Sequence, residues 1–164
     1  LAEVLNRLGI KTEILGFQDE LIHFKDFDQE LTPEIRQKMT TMLREVENKG
    51  EHNKAAYNSD GYCLGKASEL LSKQKGKDNF FMVLSDGQPV PDPSHSGERY
   101  ELNKIVAEIR KITRQKLIGV GLGKGTEHVS QCYPTSLPNL DINKLPQLLG
   151  DLLEDMIEHP ERYR

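Results

Sequence analysis

Two Asp-Gly pairs hold the residues best suited to chemistry. The first lies in Leu84-Ser85-Asp86-Gly87-Gln88-Pro89, directly after the apolar run Asn79-Phe80-Phe81-Met82-Val83-Leu84. An acidic residue at the end of a buried strand, followed by a glycine that lets the backbone turn away, presents a carboxylate at a sheet edge with little freedom. That suits a hard cation, which takes oxygen ligands. The same pair also serves as a turn in which Asp86 caps its own backbone, and the residues leave both readings open. The second pair lies in Asn58-Ser59-Asp60-Gly61, ahead of a pattern in which Leu64, Ala67, Leu70 and Leu71 share a helical face. Here Ser59 or Asp60 either caps free helix amides or brings oxygen to a metal. Gly61 and Gly87 are read as the turns that aim the two carboxylates.

Both pairs depend on a scaffold that brings their loops to one edge. Apolar spacing predicts a helix over residues 1–8 stopped by Gly9, short strands over 11–17 and 21–24, and a helix from Thr32-Pro33 toward Val46. The third helix follows Asp60, and residues 79–84 read as a strand buried on both faces. A Pro-rich loop over 88–99 leads to a helix carrying Leu102, Ile105, Val106, Ile109 and Ile112, then to a strand over 117–123. A short amphipathic segment over 129–133, a loop over 134–138 and a last helix from Asp141 complete the order, with Leu145, Leu148, Leu149, Leu152, Leu153, Met156 and Ile157 inward. Strands alternating with longer helices imply an α/β fold, doubly wound around a mainly parallel sheet with helices on both faces. In such a sheet, ligands bind outside the carboxyl ends of the strands, where Asp86 is expected. The loop carrying Gln88, Asp92, Ser94 and His95 would rim that crevice and contact a partner.

The 164 residues carry a net charge of −4 with 29% charged, which excludes a broad nucleic-acid footprint and a highly charged disordered chain. The longest apolar runs, residues 80–84 and 117–120, fall far short of the ~18 residues a membrane span needs. Two cysteines, Cys63 and Cys132, are too few for a disulfide framework, so a reducing, cytoplasmic location is expected. The five histidines show no paired spacing, and no zinc site is expected from them. Gly119-Val120-Gly121-Leu122-Gly123-Lys124-Gly125 lacks the hydroxyl that a phosphate loop places after lysine, so these glycines read as close packing at a strand end. Ser85 has no nucleophile elbow around it, and neither cysteine has a base beside it in sequence. No residue is read as catalytic.

Taken together, Tyr57-Asn58-Ser59-Asp60-Gly61, Phe81-Met82-Val83-Leu84-Ser85-Asp86-Gly87-Gln88-Pro89-Val90 and Leu117-Ile118-Gly119-Val120-Gly121-Leu122-Gly123 resemble a von Willebrand factor A domain. The branch most similar is that of the CobT-type subunit of cobaltochelatase. The resemblance covers nearly the whole chain and implies one domain over 1–164, the N-terminally truncated end of a longer protein. It implies a metal-ion-dependent adhesion site holding Mg2+ or Mn2+, with Asp86 and Asp60 as ligands and Ser59 assisting. The family's first ligand loop, Asp-x-Ser-x-Ser, does not occur, so the resemblance implies a weak or lost metal site and a missing central strand. That strand would lie between the strands at 12–17 and 80–84, and its loss would favour a homo-oligomer or a strand-swapped dimer. The implied role is a non-catalytic interaction module that couples an AAA+ ATPase, and a large chelatase subunit, to cobalt insertion. The alternatives are a partner of a MoxR-type AAA+ ATPase and a magnesium-dependent α/β hydrolase.

Overall fold

The computed structural model describes residues 2–41, 57–76, 78–91, 93–95, 97, 101–112 and 114–163. The apolar periodicity at the start forms α1 (Ala2–Arg7), which ends where Gly9 takes a φ of 69°. There follow β1 (Ile14–Phe17), β2 (Leu21–Lys25) and α2 (Pro33–Thr40), whose N-cap Thr32 accepts the Ile35 amide at 3.4 Å. The predicted extension of α2 beyond residue 41 lies outside the described residues. Next come α3 (Asp60–Ser72), β3 (Asn79–Ser85), α4 (Leu102–Ile112), β4 (Gln115–Leu122), α5 (His128–Cys132), β5 (Thr135–Leu140) and α6 (Leu145–Glu158).

The chain is mixed α/β. β3, β4 and β5 form a parallel three-stranded sheet in that order, with Phe81 opposite Leu117 and Ser85 opposite Gly121. Side-chain alternation along these strands builds two cores. Val83 and Leu117 join Leu64 of α3, Val106 and Ile109 of α4 and Val129 of α5 on one face. Ile118 and Val120 meet Leu149 and Met156 of α6 and Tyr163 on the other. Helices therefore cover both faces, and β4 is buried along nearly its whole length, as a central parallel strand must be. Close packing explains two of its glycines, since a Cβ at Gly119 would strike the Tyr133 ring and one at Gly121 would strike the Thr126 side chain.

The structure departs from expectation in three places. The segment read as a loop over 134–138 is the strand β5, with a register shift between Val120 and Leu122 of β4. Pro138 falls within that irregularity on a strand paired with β4 alone among the described residues, where its missing N–H breaks no ladder bond. Ile157 is 52% exposed rather than inward, because Leu153 and Met156 already face the core from the last turns of α6. Finally, β3 is only half-buried over most of its length, with Leu84 36% exposed, rather than buried on both faces, because it is an edge strand among the described residues. β1 and β2 form a separate antiparallel hairpin. Among the described residues no ladder joins β1 to β3, so each keeps one unpaired edge.

Candidate functional site

Three segments converge at the carboxyl end of the parallel sheet. Just before α3, the Ser59 amide donates to the Gln18 carbonyl past the end of β1, at 2.8 Å. Asn58 and Val90 exchange amide bonds of 2.7 and 3.1 Å, which ties the loop after β3 to the same place. The Ser85 hydroxyl donates to the Gly87 carbonyl at 3.0 Å, closing the turn, and the Gln88 amide reaches the Gly125 carbonyl beyond β4 at 3.4 Å. The start of α3 is thus stitched to the hairpin on one side and to the β3 loop on the other.

That stitching buries Asp60. It is the first residue of α3 and 4% exposed, and neither carboxylate oxygen has a hydrogen-bond partner among the described residues. Asp60 lines a cavity of about 260 Å³ with Gly61, Pro89, Pro91, Glu101, Leu102, Asn103 and Cys132, its two carboxyl oxygens themselves withdrawn from the surface. At about 30 Å³ per water, this has room for an ion together with several waters. Burial pushes the Asp60 carboxyl up to about 7; its own backbone amide opposes this, and the charge of Asp86 adds to the rise. The same burial raises the Cys63 thiol to about 12, with Glu20, Asp60 and Asp19 adding to it, and lifts Cys132 and Tyr133 as well. A thiol held that high is no nucleophile at neutral pH.

The residues singled out in the sequence are distributed unequally. Asp86 is exposed after β3 and is not among the residues lining the Asp60 cavity, although its charge adds a small part to the rise of the Asp60 carboxyl. Ser59 is buried at the N-cap position, and its side chain makes no capping bond to the helix amides. Gly61 lies inside the first turn of α3 and so forms no separate turn. Gly87 has no positive φ, and a Cβ there would meet nothing within 4 Å. Of the rim loop, Pro89 and Pro91 line the cavity while Ser94 is exposed. His95 instead stacks on Tyr62 of α3, with ring centroids 3.7 Å apart, and its Nε2 lies 3.9 Å from a Glu20 oxygen. Asp92 lies outside the described residues.

A second cluster was not visible in the sequence. Glu13, His23 and Asp26 bring their ligand atoms within 4.8 Å of one another on the hairpin. Only the strand pairing unites them; His23 and Asp26 at i and i+3 carry no signal alone, and Glu13 is ten positions away. Comparison with family models, curated proteins and solved structures finds no match to this chain.

Proposed function

We propose that the crevice around Asp60 and Asp86 captures a divalent cation and through it a partner's acidic side chain, making the chain a protein-interaction module of the von Willebrand A type. The observation that carries this reading is the buried Asp60 carboxylate without a hydrogen-bond partner among the described residues. Burying an ionised carboxylate without compensation costs several kcal/mol, so such a group either stays protonated or meets a cation. Asp60 and Asp86 fit magnesium or manganese, which binds through one or two carboxylates and keeps several waters. The cation would neutralise both charges and leave positions for a partner's carboxylate; Asp60 and Asp86 would hold it, and Pro89, Pro91 and Leu102 would wall it from solvent. The absent Asp-x-Ser-x-Ser loop would make this capture weak.

By the same resemblance the partner is an AAA+ ATPase, in a cobaltochelatase assembly or in a MoxR-type one, and ATP turnover lies on that other chain. Calorimetric titration of magnesium and manganese into the chain, Asp60→Asn and Asp86→Ala tests the reading. Binding that disappears in both variants supports it. Binding that survives both, or is absent from the unsubstituted chain, refutes it.

A further inference from the structure

We infer that Glu13, His23 and Asp26 form a zinc site with one open coordination position, separate from the Asp60 crevice. Glu13 immediately precedes β1, His23 lies on β2 and Asp26 follows β2. Leu15 pairs with His23 and Ile14 with Lys25, with a register shift between them. Alternation puts Glu13 on the face of Leu15 and hence beside His23, and the bulge re-aims the end of β2, as bulges do near binding sites.

The distances are those of ion pairs or of ligands sharing an ion, not of hydrogen bonds. His23 Nδ1 lies 3.6 Å from Glu13 Oε1 and 3.5 Å from Asp26 Oδ1. Both exceed the ~2.7–3.2 Å of an N–H···O bond. Two ligands held at about 2.0–2.2 Å from a tetrahedral ion lie roughly 3.3–3.6 Å apart. The Glu13 side chain is only 10% exposed and has no hydrogen bond among the described residues, yet its oxygen faces His23. A partly buried carboxylate aimed at an imidazole edge takes its positive charge from that ring when protonated, or from an ion bound between them. The nearest ammonium does not supply it: Lys25 Nζ donates to the carbonyls of Thr12 at 2.6 Å and Asp26 at 3.1 Å. Those bonds fix the backbone on both sides of the cluster. One imidazole with two carboxylates selects a borderline ion such as Zn2+ over magnesium, and three protein ligands leave a fourth position for water or a partner's donor.

The test is a calorimetric titration of zinc chloride into the full chain and three variants at neutral pH. One zinc per chain is expected, weakened at least about tenfold in His23→Gln and in Asp26→Asn, since even outer-shell changes cost ~10–100-fold. Asp60→Asn/Asp86→Asn should bind zinc as the unsubstituted chain does, which separates this site from the crevice. Cobalt in place of zinc should give the intense visible absorption of a four-coordinate ion. Far-UV circular dichroism checks that His23→Gln folds, and Asp26→Asn, outside the strand, tests the site if it does not. No zinc binding, unchanged affinity in the folded hairpin variants, or loss in the crevice double variant overturns the inference.

Discussion

Replacing Asp60 by asparagine should stabilise the protein increasingly as pH rises from about 4 to about 7. In the unfolded chain the carboxyl ionises near 3.8, whereas in the fold burial and Asp86 push it up to about 7. Between those values the folded state holds a proton that the unfolded state has released. The stability from this group is therefore fully present below about pH 4 and lost as pH rises through 7. The rise from 3.8 to about 7 corresponds to about 4 kcal/mol, a ceiling because water entering the cavity lessens the penalty. An amide side chain in its place cannot ionise and escapes that loss. Urea unfolding of both proteins from pH 4 to pH 9, without divalent ions, reads the difference directly. The gap between Asp60→Asn and the unsubstituted chain should widen in favour of the variant as pH rises from about 4 to about 7, and level off above that. Saturating magnesium at high pH should then favour the unsubstituted chain alone, by about 2.7 kcal/mol at one hundred times its Kd. A gap that stays constant with pH would show that the buried charge is already compensated and would remove the basis for the cation site.

Two further outcomes follow from the same geometry. Asp86→Asn removes a like charge from beside Asp60, so the Asp60 midpoint should fall; carbon-13 titration of its carboxyl reads this, and an unchanged or raised midpoint would show that the two groups do not interact. Gly121→Ala drives a Cβ into Thr126, which Gly123 and Asn139 hold by bonds of 3.1 and 2.9 Å, and overpacking of this kind costs about 1–3 kcal/mol. A denaturant midpoint equal to that of the unsubstituted chain would contradict the packing drawn for the end of β4.

What was legible in the sequence followed from period and from continuous apolar runs, although only β4 of the two runs is buried on both faces. The continuous apolar runs gave β3 and β4, and the helical spacing of Leu64, Ala67 and Leu71 gave α3 and its inner face. Position after a buried strand marked Asp86. β5 was hidden because Pro134 and Pro138 argue against a strand, and it forms because β4 offers an edge while Leu140 has a core to enter. Asn139, with φ 55°, accepts the Gly125 amide at 3.0 Å and so locks the strand to the turn after β4, a contact with no local signature. The Glu13 cluster depends on hairpin register, and a shift of one residue would scatter it. The lack of a partner for Asp60 depends on closure by Pro89, Pro91 and Cys132, which come from distant parts of the chain.

The position of Asp60 separates a capping role from a binding one. An acidic residue in the first turn of a helix gains from the helix dipole, typically about 0.3–1 kcal/mol at the surface. Were capping its task, its oxygens would accept helix amides and its carboxyl would fall below the usual range, as charge and hydrogen bonding both favour the ionised form. The oxygens instead have no partner among the described residues, and the carboxyl rises to about 7. The penalty exceeds what the dipole returns, so capping does not account for an aspartate there; serine or asparagine at the helix start would cap at lower cost. The bonds of Ser59 to Gln18 and of Asn58 to Val90 maintain this arrangement by binding both the hairpin and the β3 loop to the start of α3. A cation taken up there would relieve the cost of the buried Asp60 charge, to which the charge of Asp86 adds.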